Sequence, residues 1–328
     1  MAEVELVSQL SFEKKALWME LLQEAGLTPP TKIPRTALLW EAGKLIGTAS
    51  RTENIIKYIA VSREHQGEDR TATLLTALRQ DAFQAGYDHL FLYTKPENEM
   101  LFRSLFFYPV AKTEQVLLLE SRKNGIKDFL QSLQIQSAQG NVGSVVMNGN
   151  PFTLGHRFLI ETAAQACDRL YVFVLSEDCS EFSFTDRFRM AKLGTADLSN
   201  VTVLPTGPYL ISAATFPTYF LKDKAAADEA QCALDAGIFS QWFAPYFNIS
   251  CRYIGTEPTC HVTAAYNRVL KQRLPELGIR VIEIPRLCAG DCPVSASTVR
   301  KWMAEKNWEE IQKLVPSTTF DYLYKQEE

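Results

Sequence analysis

The apolar positions of the first 123 residues form short strand-like runs mixed with helical periodicities. The pattern predicts a helix from Ser11 to Ala25, with a buried stripe of Phe12, Leu17, Leu21 and Leu22. It then predicts two strands around a turn at residues 42–44, further strands at 55–61, 89–94 and 114–120, and helices at 71–86 and 98–107. Because several strands precede the first long internal helix, residues 1–123 are predicted to be an α+β domain.

From residue 143 the pattern changes to near-continuous apolar strands that alternate with helices. Such strands are typical of a parallel sheet covered by helices on both faces. The sequence therefore predicts a helical linker at residues 124–140 and, at residues 141–328, an α/β domain with a doubly wound, Rossmann-like parallel sheet. Domains of this kind bind ligands at the carboxyl ends of their strands, where the strand order reverses.

Composition narrows the function classes. The 328 residues are 46% hydrophobic and 22% charged, which is near the average for globular proteins. A formal net charge of -4 argues against a nucleic-acid binder. There is no long apolar run and no signal-peptide pattern, and the seven cysteines lack a zinc-binding spacing. We therefore expect a cytoplasmic protein with free thiols, no membrane partner and no metal site made by the chain itself.

The stretch NGNPFTLGH, residues 148–156, lies between a predicted strand and a predicted helix. Free N–H groups and the positive end of a helix dipole make this position suited to phosphate. Thr153 and His156 can donate hydrogen bonds, and the neighbouring backbone and side chains complete a candidate ATP loop: Asn148, Gly149, Asn150, Phe152 and Gly155. Neither a Walker loop nor a dinucleotide fingerprint occurs here. The plainer alternative is a capped helix start with an incidental histidine.

A second element, VSASTVR, follows the last predicted strand. Ser297 and Thr298 offer hydroxyl groups and N-terminal amides, and Arg300 offers a forked cation. Together they could hold the β- and γ-phosphates of ATP opposite the first loop. The alternative is an ordinary Ser/Thr N-cap with a solvent-facing arginine.

Thr153-Leu154-Gly155-His156 and the VSASTVR turn resemble the two signatures of the nucleotidyltransferase superfamily named for its His-x-Gly-His motif, in the branch where Thr replaces the first His. Longer stretches, including residues 194–222, 254–271 and 283–303, look very like the [citrate (pro-3S)-lyase] ligase family. The first domain is similar to the acetyltransferase-like (GNAT) domain of these ligases. Its acetyl-CoA loop departs from the usual two-glycine pattern, since only Gly67 is present and Asp69 stands where a small residue is needed. Acetyl-CoA-dependent catalysis is therefore not expected there.

The resemblance implies a ligase that uses ATP and acetate, releases pyrophosphate and AMP, and acetylates a thiol. That thiol belongs to the phosphopantetheine-type prosthetic group on the acyl-carrier (gamma) subunit of citrate lyase. It also implies that His156, Thr153 and Arg300 act in catalysis, that Ser297 and Thr298 hold the leaving pyrophosphate, and that Mg²⁺ binds through the ATP phosphates.

Four further residues are weaker candidates. Arg187 and Arg189 are either contacts of acetate or phosphate, or residues of an exposed structural helix. Gly255 and Glu257 follow a strand and either touch the ribose or adenine of ATP or form a plain turn. Two rival functions stay open: a mononucleotide adenylyltransferase with a phosphate acceptor of the phosphopantetheine or NMN type, and a non-catalytic nucleotide-binding regulator.

Overall fold

A computed structural model describes residues 2–66, 68–210, 218–221, 224–257, 261–290 and 292–325. The chain forms two compact units. The first contains Met1–Gly125 and Pro217–Ala230, and the second contains Ile126–Phe216 and Gln231–Glu328. Residues 217–230 therefore differ from the expected boundary, because the sequence placed them in the second domain. In the described part of this segment, the Tyr219 ring packs 4.2 Å from the Tyr58 ring, and its carbonyl accepts a hydrogen bond from the N–H of Thr28.

The first unit is an α+β structure, as predicted. Its elements in chain order are β1 (Glu3–Val7), α1 (Phe12–Glu24), β2 (Arg35–Glu41), β3 (Lys44–Thr52), β4 (Ile55–Val61), α2 (Glu68–Gln84), β5 (Phe91–Thr94), α3 (Glu99–Ser104), β6 (Tyr108–Lys112) and β7 (Leu117–Glu120). The sheet order is β1-β2-β3-β4-β5-β7-β6. Strands β4 and β5 are parallel and pair only at Ile55 with Phe91 and at Ile56 with Leu92. The sequence missed β1 and β6.

Helix α1 is where predicted, but its buried face is not. Ser11 caps the helix, since its hydroxyl accepts a hydrogen bond from the N–H of Lys14. Leu21 and Leu22 are buried, whereas Phe12 is 89% exposed and Leu17 is 44% exposed. The core residue that the predicted stripe omitted is Trp18. Its Nε1 donates a hydrogen bond to the Thr48 hydroxyl on β3. The predicted stripe was therefore wrong at its first two positions, because contact with β3 selects the face that contains Trp18.

The second unit is an α/β structure built on a five-stranded parallel sheet, as predicted. Its elements in chain order are α4 (Gly125–Ser132), β8 (Val142–Met147), α5 (Leu154–Gln165), β9 (Arg169–Val174), α6 (Phe184–Gly194), β10 (Val201–Pro205), α7 (Lys224–Ile238), α8 (Ala244–Phe247), β11 (Cys251–Gly255), α9 (His261–Glu276), β12 (Arg280–Ile284), β13 (Cys288–Ala289), β14 (Cys292–Pro293), α10 (Ala296–Ala304), α11 (Trp308–Gln312) and α12 (Ser317–Lys325). Cys288–Ala289 and Cys292–Pro293 form a separate antiparallel pair. Helix α7 begins in the first unit, which contains it up to Ala230. The linker helix is shorter than expected and ends at Ser132.

The strand order of the parallel sheet is β10-β9-β8-β11-β12. The chain runs outward from β8 to β10, then returns to the other side of β8 with β11. The order therefore reverses between β8 and β11, and this is the position at which open parallel sheets bind ligands. The loop that follows β8 is residues 148–153, the candidate ATP loop. In the part of the chain that the structure describes, the search for an 18-residue apolar helical stretch able to cross a membrane finds none.

Candidate active site

Thr153 caps helix α5 and holds His156 in place. Its hydroxyl accepts a hydrogen bond from the His156 N–H, and its own N–H donates to His156 Nδ1 at 3.0 Å. The Thr153 hydroxyl also lies 2.8 Å from Nδ1. Because Nδ1 accepts from the backbone, the ring proton belongs on Nε2. The cap therefore fixes the tautomer that presents an N–H donor away from Thr153.

Thr153 itself does not face the ligand space. Its residue is 1% exposed, and both of its polar groups are bonded to His156. The sequence-based expectation that its hydroxyl donates to phosphate is corrected by this geometry. Thr153 acts on His156, and the Thr-x-x-His spacing is a capping arrangement comparable to the Ser/Thr-x-x-Glu box.

His156 is half-buried and neutral near pH 7. Burial and, to a lesser extent, the positive charge of Arg286 lower the pKa of its imidazole to about 4. A neutral ring with hydrogen on Nε2 can donate one hydrogen bond to a phosphate oxygen without bringing a full charge. The Phe152 ring stacks on His156 at 5.7 Å between centroids and limits its rotation.

Arg187 is part of the scaffold beneath the ATP loop. The residue is 0% exposed, and its guanidinium donates to the carbonyls of Phe182, Asn148, Leu175 and Glu177 and to the Asn148 side chain. The sequence predicted either a contact with acetate or phosphate or a residue on an exposed helix. The structure shows a third role, because Arg187 is buried and donates its hydrogen bonds to backbone carbonyls. Arg189 lies on the exposed side of α6 and stacks on the ring of Tyr322 at 5.4 Å.

Phe152 and Gly155 also have packing roles. Phe152 is 0% exposed and lies against Gly194, where a Cβ atom would approach the ring to 2.5 Å. A Cβ on Gly155 would lie 3.1 Å from the carbonyl oxygen of Val294. Gly155 therefore allows α5 to lie against Val294, the first residue of the second motif. Both residues therefore help to pack the two motifs, and their predicted contacts with ATP stay predictions.

The second motif begins with a cap that the sequence analysis did not assign. Ser295 caps α10, because its hydroxyl accepts from the N–H of Thr298 and lies 2.8 Å from the Thr298 hydroxyl and 2.9 Å from the Ser297 hydroxyl. Ser297 is exposed at the start of the helix, where backbone N–H groups have no intrahelical acceptor. Thr298 is turned toward Ser295. Ser295 therefore caps the N-terminus of α10, which is the positive end of the helix dipole, and Ser297 is the exposed residue at that end.

Arg300 joins the two motifs. Its Nη1 donates to the carbonyl of Asn150 at 2.5 Å, and its Nε pairs with Glu181 at 3.3 Å. Asn150 is held from the other side, since its side chain accepts from the N–H of Phe182. The structure thus brings together the two sequence motifs, which are separated by about 140 residues of chain.

Between the motifs lies a cavity of about 520 Å³. It is lined by residues of the ATP loop and its strand, by residues of α7, β11, α9 and the second motif, and by Arg286: Val146, Met147, Asn148, Gly149, Asn150, His156, Leu175, Gln231, Asp235, Arg252, Thr263, Tyr266, Arg286, Ser295, Ala296, Ser297 and Arg300. These described residues include three arginines and one carboxylate, Asp235, which pairs with Arg252, while Arg286 and Arg300 pair with Glu257 and Glu181 outside the lining. Gly149, with φ +64°, gives the loop a left-handed turn at this wall.

Several of these residues were missed from the sequence. Arg286 follows β12 at the carboxyl edge of the sheet. A position directly after a strand is the same sequence signal that pointed to the ATP loop and the second motif. It pairs with Glu257 at 2.6 Å, and its N–H donates to the Thr256 hydroxyl. Arg252 lies within the apolar strand β11. A charged residue in a buried strand is rare unless it is paired, so its position could have marked it as a candidate site residue.

The two weak strand-end candidates do not line the cavity among the described residues. The carbonyl of Gly255 accepts a hydrogen bond from the Asn267 side chain. Glu257 reaches the site through its ion pair with Arg286. Within the described residues, the search for clusters of three or more His, Cys, Asp or Glu side chains able to hold a metal ion finds none.

Comparison with known proteins identifies relatives over most of the chain. Among solved structures, Thermotoga maritima TmcAL, crystallised with α-thio ATP, is 16% identical and aligns with 57% of this chain and 56% of its own, with a TM-score of 0.35. Two curated proteins named [Citrate [pro-3S]-lyase] ligase are much closer in sequence. The one from Haemophilus influenzae is 44% identical over 83% of this chain and 83% of its own length, and the one from Escherichia coli K12 is 38% identical over 95% and 90%.

The family model for the citrate lyase ligase C-terminal domain matches residues 142–323. This range contains the parallel sheet, the ATP loop and the second motif. With that match and the two relatives, the chain belongs to the citrate lyase ligase family.

Proposed function

We propose that this chain uses ATP to activate acetate as acetyl-adenylate and then acetylates the prosthetic-group thiol of the citrate lyase acyl-carrier subunit. The observation that carries the proposal is the cavity at the reversal of the parallel sheet. There, His156, Arg286, Arg300 and the start of α10 present hydrogen-bond donors and positive charge. Such a surface is suited to a triphosphate. Membership in the citrate lyase ligase family supports the choice of acid and acceptor.

The donors and charges around the cavity have separate proposed roles. Nε2 of His156 donates to the α- or β-phosphate, while Thr153 holds the ring. Arg300 and the N-terminal amides of α10 at Ser297 bind the leaving pyrophosphate, and Arg286 adds positive charge beside His156. These groups stabilise charge that grows on phosphate oxygens in the transition state, so their contribution is positioning and electrostatics.

The reaction has two steps, adenylylation of acetate and transfer of the acetyl group to the thiol. A carboxylate oxygen of acetate attacks the α-phosphorus in line, the bond to the bridging oxygen breaks, and pyrophosphate leaves. The thiolate of the carrier subunit then attacks the acetyl carbon, and AMP leaves with the carboxylate oxygen. Acetate needs no general base, because it is ionised at neutral pH.

ATP is expected to enter as its Mg²⁺ complex. The described lining of the cavity has one carboxylate, Asp235, and it is bound to Arg252 and Tyr266. This lining offers no set of carboxylates for a resident ion. The ion therefore belongs to the substrate, and it reduces the negative charge of the phosphates.

Exchange of labelled pyrophosphate into ATP tests the proposal on the full chain. We expect exchange that requires acetate, needs no carrier subunit, and is followed by carrier acetylation when that subunit is added. Exchange that requires a phosphate acceptor instead would show a mononucleotide adenylyltransferase. ATP binding without exchange under any of these conditions would show a nucleotide-binding regulator.

A further inference from the structure

The cavity has a second end that the phosphate-binding groups do not use. It is formed by Arg252 on β11, Asp235 on α7 and Tyr266 on α9. Arg252 is 1% exposed and Asp235 is 6% exposed, so both charges are removed from solvent. A buried ion pair of this kind is costly to form, and it often has a role beyond stability.

The hydrogen bonds of this cluster leave part of the arginine unused. Nη2 of Arg252 donates to the Tyr266 hydroxyl at 2.9 Å, and Nη1 lies 3.4 Å from Asp235 Oδ2. The Tyr266 hydroxyl donates to the same carboxylate oxygen. Nε of Arg252 is buried, and no acceptor within the described residues bonds to it. A buried N–H without an acceptor is unfavourable, so the described protein groups do not fully satisfy this guanidinium.

The orientation of the guanidinium is fixed by its surroundings. Its central carbon lies 4.7 Å from the centre of the Phe239 ring and 5.9 Å from the centre of the Tyr266 ring. The planar group is therefore held in one orientation before any ligand arrives. Preorganisation of this kind lowers the entropic cost of binding a planar partner such as a carboxylate.

The residue types of the lining suit an anion. Arginine stays protonated in proteins, and the described lining contains three arginines and one carboxylate, Asp235, which is paired with Arg252. Burial raises the pKa of Asp235, and the nearby Arg252 opposes that rise. Val146 and Leu175 supply apolar surface in the same cavity. A small anion with a short apolar group fits such a lining better than a phosphate does.

We propose that Arg252 binds the carboxylate of the small monocarboxylic acid that is adenylylated. This inference rests on the proposed function and assigns the acid to Arg252 instead of Arg187 and Arg189, which were weaker candidates for contact with acetate or phosphate. One carboxylate oxygen accepts from Arg252 while the other is directed toward the α-phosphate. The methyl group of acetate then lies against Val146 and Leu175, and longer acids meet the same wall.

Four variants of the full chain, one of them a control, test this assignment by pyrophosphate exchange with varied acetate and varied ATP. Arg252→Gln is expected to raise the KM for acetate on the order of 10²-fold, as loss of a buried charged partner commonly does, with the KM for ATP changed less than about threefold. Arg189→Gln is the matched control, because this arginine is exposed and outside the cavity lining. It is expected to leave both KM values unchanged.

Asp235→Asn separates binding from a purely structural role. Removing the carboxylate that competes for Arg252 is expected to lower the KM for acetate severalfold, opposite in sign to Arg252→Gln. A double variant, Arg252→Gln with Asp235→Asn, removes both buried charges together. It takes the place of the single variant Arg252→Gln if the single variant does not fold. Its KM for acetate should be raised like that of Arg252→Gln.

The outcomes separate the two proposals. Wild-type exchange that does not depend on acetate overturns the proposed function. Acetate-dependent wild-type exchange, with an unchanged KM for acetate in Arg252→Gln or in the double variant, overturns only the role of Arg252. A KM for acetate that rises in Asp235→Asn would likewise assign the cluster to structure and contradict carboxylate binding.

Discussion

The two units contain cavities of nearly equal volume and very different chemistry. The cavity of the first unit is about 570 Å³ and is lined by the end of β4, the end of β5 and the residues after it, and the described residues of segment 218–221. Its described lining contains one cation and one anion, Lys95 and Glu97. The cavity of the second unit is about 520 Å³ and carries three arginines, a histidine and a helix N-terminus.

The difference lies in how each sheet makes its space. Strands β4 and β5 pair at two positions and then separate, so the first cavity is bounded by strand edges and apolar side chains. The second cavity lies where the order of a parallel sheet reverses and where helices begin. Helix starts and strand-end loops supply donors and charges there. Volume therefore does not distinguish the sites, whereas the electrostatics of the lining does.

Removal of the histidine from the second cavity should have the largest effect on pyrophosphate exchange. His156→Ala is expected to lower acetate-dependent pyrophosphate exchange by at least about 10²-fold, because loss of one transition-state donor commonly has this cost. His65→Ala in the first unit is the control, and its rate should equal that of the wild type. Unchanged exchange in His156→Ala would remove this residue from the mechanism.

The lowered pKa of His156 predicts a pH effect on stability. The folded protein has a pKa of about 4 at this ring, against 6.5 for an ordinary histidine, so the unfolded chain binds the proton more readily between these values. Stability from the neutral ring is therefore present at pH 7 and is lost as the pH falls toward 4. Between pH 7 and pH 5, urea unfolding should show the wild type losing about 2 kcal/mol more than His156→Gln.

Equal pH dependence in the two proteins would mean that the imidazole is protonated readily in the folded state. The neutral-donor role would then be contradicted, and the phosphate would instead meet a cation at this position.

Removing the cap should have a smaller effect than removing the ring. Thr153→Val keeps the volume but loses the hydroxyl, so exchange should fall about tenfold through misplacement of His156. The free energy of unfolding should fall by about 1 kcal/mol, as for other N-cap losses. Thr153→Ser restores the hydroxyl and should recover most of both quantities. An equal loss in Thr153→Ser would show that the methyl group, and not the hydroxyl, matters.

A charge change in the first cavity should have the smallest effect. Lys95→Ala removes a half-exposed side chain 3.9 Å from Glu97, and we expect pyrophosphate exchange within about twofold of the wild type and unfolding within about 0.5 kcal/mol. A large fall in exchange would break the contrast, because adenylylation would then depend on the first unit as well.

The order of elements in the second unit could be predicted from the sequence. Apolar strands, capped helices and the position of each motif after a strand are local features, visible within a few residues. His156, Ser297 and Arg300 were predicted site residues, and all three line the cavity. Their proposed contacts with ATP stay predictions.

The roles within the site depended on contacts between distant residues. Arg187 is a scaffold residue because its guanidinium meets backbone carbonyls as far away in the chain as Asn148. Phe152 is a core residue because Gly194 leaves room for its ring. No pattern within either segment carries this information, since a side chain's exposure is set by the element packed over it.

The sequence by itself determined the fold class, the two motifs and the family, since these depend on residue order and local periodicity. Only the tertiary structure decided that Thr153 holds His156, that Arg286 adds a charge to the same cavity, and that Arg252 lies buried with an N–H that no described residue accepts. The physical reason is that a hydrogen bond or a desolvated charge depends on three-dimensional neighbours. Those neighbours come from strands and helices far apart in the chain.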